Sequence, residues 1–166
     1  MYYIKKLQLS FMIIVVFSTL LLIYNFVQSY KFKNNPLSSE IINKINKKEY
    51  QILTKIKRVY GVNGKVKVNI SNKMNNRLYG LCTLNKHNKI EIYLNKKMFQ
   101  ESEEYMIEDV FPHEYAHALM FKFNNTTNKN GGHTKQWQNI CKNIGGIKCE
   151  RFVDSNDIII SKRNIF

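Results

Sequence analysis

From Ser38 to about Tyr60 the chain repeats apolar residues at helical spacing: Ile41, Ile42, Ile45, Ile52, Leu53, Ile56 and Val59 form one stripe. Ser38 or Ser39 is suited to cap that helix. Gly61 to Gly64 reads as a turn, and Lys65-Val66-Lys67-Val68-Asn69-Ile70 alternates strictly, as a half-buried strand does. Arg77 to Leu84 and Lys89 to Leu94 predict a hairpin-like pair. Between Met106 and Phe123, apolar residues occur on nearly every side of a helix, so Glu101 to Phe123 is expected to be a buried helix with an acidic first turn. Pro112 inside it requires a kink or a break. Trp137, Ile140, Cys141 and Ile144 mark a further helix that stops at Gly145-Gly146. Arg151 to Ser161 adds a short last strand. Together these elements predict an α+β fold, a small and mainly antiparallel sheet packed against helices.

The N-terminal pattern is different. Leu9 to Val27 carries no charge, with Lys5-Lys6 before it and Lys31 and Lys33 after it. That length can just span a bilayer, so residues 1–30 are expected to form a transmembrane anchor; a cleaved signal peptide is the alternative. Residues 31–166 then make one domain, enough for a single core. The lysines from Lys31 to Lys48 argue mildly for a cytoplasmic placement of that domain, and orientation stays open.

Against this background, His113-Glu114-Tyr115-Ala116-His117 stands out. Positions i and i+4 share a helix face, so His113 and His117 can aim at one metal ion. Glu114, one step round the axis, is suited to act as a base on a metal-activated water. Three ionisable groups in a buried helix are costly without partners, and a divalent metal accounts for all three. A catalytic zinc site needs a third protein ligand, for which His133 is the candidate. It follows the turn signal Asn130-Gly131-Gly132 and would be presented from the first turn of the next helix. His87, in Asn85-Lys86-His87-Asn88-Lys89, reads as an exposed turn residue. Tyr79, Tyr93 and Tyr115 are available as oxyanion stabilisers, with Tyr115 the weakest because it points away from His113. Glu101, Glu103, Glu104 and Glu108 could include an acceptor for a ligand's free N–H.

The run from Asp109 to Leu119 (DVFPHEYAHAL), followed by Gly132-His133-Thr134-Lys135-Gln136-Trp137, resembles the SprT-like zinc metallopeptidase domain. Arg77 to Cys82 and Lys89 to Asn95 are similar to the strand pair that precedes the active helix there. The resemblance covers roughly Ser38 to Asp154. It implies a zincin-like active-site helix, one Zn2+ per chain on His113, His117 and His133, and Glu114 as catalytic acid/base. Thr134 stands where the family usually has Gly; it can cap the next helix but is less permissive in backbone. The four-cysteine zinc ribbon of many members has no counterpart after Asp154, which weakens any transfer of DNA-linked roles.

The expected activity is therefore zinc-dependent hydrolysis of peptide bonds in a protein or peptide substrate, by a metalloendopeptidase at a membrane. Two alternatives come from other classes: a non-catalytic zinc-containing binding module, and a basic DNA- or lipid-associated factor. The net charge of +14 invites the second. The lysines are spread along the chain without an arginine cluster, so nucleic acid is only weakly supported as a partner. Three cysteines make no disulfide framework, and a Cys141–Cys149 bridge stays open. Substrate identity and oligomeric state are not legible.

Overall fold

The structure, a computed structural model, describes residues 2–75, 77–125 and 132–151. The chain divides into two units after Pro36. The first contains α1 (Tyr2–Asn34), whose 33 residues include no buried side chain. A helix rises about 1.5 Å per residue, so its apolar stretch matches a hydrocarbon layer of about 30 Å. By length and composition α1 could cross a membrane; a signal sequence passes the same test.

The second unit opens with α2 (Ser39–Tyr60). The Ser38 hydroxyl accepts the Ile41 N–H and so satisfies a donor the first turn leaves unpaired. Gly61 ends the helix at φ 68°, the left-handed conformation that glycine adopts without a Cβ penalty. The buried face consists of Ile45, Lys48, Ile52 and Ile56, whereas Ile42 and Val59 of the expected stripe are exposed. Lys48 falls on the helical spacing of the stripe, but its charge hid it from an apolar count. Its ammonium pairs with Glu108 at 2.5 Å, which makes the burial tolerable.

Three strands follow: β1 (Lys67–Ser71), β2 (Gly80–Leu84) and β3 (Ile90–Asn95). The order is β1-β3-β2, with β2 antiparallel and β1 parallel to β3. The sheet is thus mixed, with one antiparallel and one parallel pairing, in an α+β fold. Alternation along β1 specifies a face but not a partner, which is why the parallel pairing was not foreseen. Asn95, buried at the end of β3, fixes what precedes β2. Its backbone N–H donates to the Tyr79 carbonyl at 2.9 Å, and its side-chain amide donates to Leu78 O at 2.6 Å and Asn75 O at 3.1 Å.

The expected single helix from Glu101 to Phe123 is instead a series of pieces. α3 (Lys96–Glu101) is capped by the Asn95 side chain, Ser102 breaks the helical backbone, and α4 (Glu103–Tyr105) leads into a π-helical turn at Met106–Val110. Only then does α5 (Phe111–Lys122) begin. Pro112 is the physical reason. An α-helical course would press its ring against the carbonyl four residues back. The wider turn, in which the Phe111 N–H donates to Met106 O, supplies the break that the proline demands.

α5 is buried through Phe111, Pro112, Glu114, Tyr115, Ala116, Ala118, Leu119 and Met120. It packs on β2, β3 and α6 (Lys135–Ile144). Each large apolar side chain buried here contributes about 1.5–3 kcal/mol relative to exposure. The Tyr115 hydroxyl donates to Glu49 at 2.5 Å, and Lys65 holds the other oxygen of that carboxylate at 2.7 Å, linking α5 to α2. α6 is capped by Thr134, whose hydroxyl accepts the Trp137 N–H, and it ends at Gly145 with φ 102°. Cys141 and Cys149 are joined by a disulfide across a separation of 8 residues. Beside it, Asp109 of the π-turn accepts the backbone N–H groups of Ile147 and Lys148. The expected strand from Arg151 to Ser161 lies, apart from Arg151, outside the described residues.

Candidate metal centre

α5 carries His113 and His117 on one face, one turn apart, and the loop before α6 brings up His133. His133 stands just before the Thr134 cap rather than in the first turn of the helix, so its ring is placed by the backbone that enters the cap. The three Nε2 atoms are 3.3 Å (His113–His117), 3.1 Å (His117–His133) and 3.0 Å (His113–His133) apart. Each imidazole nitrogen has a single in-plane orbital, so three mutually close nitrogens cannot all hydrogen-bond one another; at most one pair can. A small cation facing all three removes that conflict. Ligands at the zinc–nitrogen distance of about 2.0–2.1 Å in a tetrahedron are about 3.3 Å apart, close to the spacing here. The donor set therefore fits a divalent ion.

Trp137, the only tryptophan in the chain, backs the cluster. It is stacked on His117 at 5.2 Å and is edge-on to His113 and His133, each at 4.6 Å. Gly132, at φ 80°, lies under the other nitrogen of His117; a Cβ there would approach it to 3.5 Å. Residues 126–131, most of the polar loop that leads to His133, lie outside the described residues.

Burial, followed by the neighbouring imidazoles, pulls His113 down to about 3; burial and His133 pull His117 down to about 4. Both rings are therefore neutral at pH 7, the state in which a ring nitrogen can ligate. Glu114 is 6% exposed. Burial pushes its carboxyl up to about 8, opposed by the backbone N–H of Cys82, which donates to it.

These shifts imply a pH profile for the metal-free protein. Below about 6.5 the unfolded chain binds protons on His113 and His117 that the fold rejects, so stability falls as pH drops toward 4. Above 4.5 the fold retains a proton on Glu114 that the unfolded chain has released, so stability falls as pH rises toward 8. Two histidines outweigh one glutamate below 6.5. The chelated protein is expected to melt at its highest temperature near pH 6.5, and Glu114→Gln should remove the alkaline decline and steepen the rise between pH 4.5 and 6.5. A thermal melt series across pH, wild type beside the variant, checks this; an identical alkaline limb in both would refute it.

Of the other candidates, His87 is exposed in the β2–β3 turn, as expected. Tyr93 and Tyr115 donate to Glu91 and Glu49, and so are committed elsewhere. Tyr79 packs edge-on against Tyr105. Glu103 and Glu108 pair with Lys44 and Lys48 on α2 instead of facing a histidine. Gly80 and Asp109 were missed: a glycine inside a strand was the available signal for the first, and nothing local marked the second.

Neither a curated protein nor a solved structure matches the chain. A family model does: that of the SprT-like family matches residues 43–158. That span takes in most of α2, the whole sheet, the paired histidines with Glu114, and His133. With the match covering most of the sequence and all of the candidate metal centre, the chain belongs to the SprT-like family.

Proposed function

We propose that the protein is a zinc-dependent endopeptidase tethered to a membrane by α1, with His113, His117 and His133 as ligands of one zinc ion per chain. The observation that carries the reading is the convergence of three imidazoles with a buried carboxyl group one residue beyond the first of them. Zinc held there would supply a Lewis acid that polarises a scissile carbonyl and acidifies a water.

The chain's own groups do the rest. With the charge of a cation on the histidines offsetting the burial that holds its proton, Glu114 would be ionised. It takes the proton from the attacking water and delivers it to the nitrogen of the departing amine. The Cys82 N–H keeps that carboxylate oriented. Trp137 and Gly132 hold the imidazoles in register, so the ligand geometry needs little reorganisation. The apolar surroundings of α5 exclude bulk water and strengthen each electrostatic contact.

The zinc-loaded full-length protein in detergent is expected to cleave casein, to stop when a chelator removes the metal, and to resume when zinc is restored. One zinc per chain with no cleavage would instead favour a non-catalytic zinc-containing module.

A further inference from the structure

β2 passes α5 at Gly80, and the fit there is tight. A Cβ on Gly80 would lie 2.6 Å from Glu114 Cγ, 2.7 Å from its Oε1 and 2.9 Å from its Cδ. Carbon atoms in contact rest about 3.5–4.0 Å apart, so any side chain at this position drives the carboxylate back by about 1 Å. Two residues along the strand, the Cys82 N–H donates to the same carboxylate. The strand therefore acts on Glu114 in two ways: one residue leaves the space and another supplies the donor.

The strand is itself held in place. Gly80 pairs with Leu94 of β3, and the preceding Tyr79 carbonyl accepts the Asn95 N–H at 2.9 Å. The buried Asn95 amide also holds Leu78 and Asn75. A larger residue at position 80 cannot be relieved by moving β2 outward without breaking these bonds. The flexible partner is the Glu114 side chain, so it is the group that gives way.

We infer that Gly80 is a positioning residue for the general base: its missing side chain makes the slot in which the Glu114 carboxylate stands. The inference rests on the peptidase reading above, since only then is Glu114 a base. It differs from a fold requirement because Gly80 has no left-handed backbone to protect, and the atoms a Cβ meets belong to one catalytic side chain.

The test uses the full-length protein in detergent, wild type beside Gly80→Ala, Glu114→Ala and the double variant. Gly80→Ala should keep one zinc per chain and melt within a few degrees of wild type. Its kcat on casein should fall about 100-fold with KM nearly unchanged, the scale expected for a 1 Å displacement of a catalytic group. Independently of activity, the Cys82 amide should exchange slowly with deuterium in wild type and at least tenfold faster in both Gly80→Ala and Glu114→Ala. Adding Gly80→Ala to Glu114→Ala should not change the melting temperature, because the clashing side chain is already gone. Wild-type kcat in Gly80→Ala, unchanged protection of the Cys82 amide, or loss of zinc and fold would each overturn the inference. If zinc-loaded wild type cleaves nothing, the peptidase reading fails, and the amide exchange and the double variant still decide whether Gly80 sets the position of Glu114.

Discussion

Glu114→Gln is expected to retain one zinc per chain and the wild-type fold while casein cleavage falls by a factor of about 10²–10⁴. Glutamine has the same shape, so it fits the space beside Gly80, and its amide oxygen can still accept the Cys82 N–H. What it lacks is a lone pair basic enough to take a proton from water at the moment of attack. The metal should be unaffected, because on the proposed assignment the three ligating nitrogens come from His113, His117 and His133. Zinc analysis and casein hydrolysis on the same samples provide the check. Full activity in the variant would remove Glu114 from the mechanism, and loss of zinc would make it part of the metal site instead.

His133→Ala should have the largest effect on the metal itself. Two nitrogens on α5 cannot enclose an ion that the third closes from the opposite side, at 3.1 and 3.0 Å from the pair. Changes among groups that merely support a ligand commonly weaken metal binding 10–100-fold, so removing a ligand should weaken it by more than about 100-fold. After dialysis against a mild chelator the variant is expected to hold almost no zinc and to be inactive. The fold should survive, because the Thr134 cap does not involve the imidazole and Trp137 keeps its contacts with His113 and His117. His87→Ala, altered in an exposed turn, should bind zinc like wild type. Stoichiometric zinc in His133→Ala would end the three-histidine assignment.

The residues of the centre were legible because their relation is local. A spacing of four within one helix brings His113 to His117 whatever the rest of the chain does, and the glycines before His133 mark a return of the chain. Contacts across the fold were not legible. Gly80 against Glu114, Lys48 against Glu108 and Asp109 against the loop after α6 all depend on how α2, β2 and α6 dock. Hydrophobic periodicity identifies the face an element buries and is silent about its neighbour. It also treats a lysine as solvent-facing, so Lys48 escaped notice. The interruptions before α5 were legible only in part: Pro112 announced a disturbance, but its form as a π-turn depends on which carbonyl the Phe111 N–H can reach.

The disulfide bears on the orientation of the membrane anchor proposed for α1. The lysine bias after α1 leans toward the cytoplasm, yet a Cys141–Cys149 bond persists only where reducing thiols are scarce. Gly146 fits this bond closely, since a Cβ there would come within 2.5 Å of one sulfur and 2.6 Å of the other. The closed bond and the lysine distribution therefore favour opposite orientations, and the bond is the more specific of the two.

Trp137 gives the centre a further property. It is the sole indole in 166 residues, and its ring lies against all three imidazoles. Excited indoles are quenched by protonated imidazole and respond to a nearby charge. The ultraviolet emission of this protein therefore arises largely from one ring beside the candidate metal centre, and the chain carries its own optical reporter of whether the histidines bind an ion.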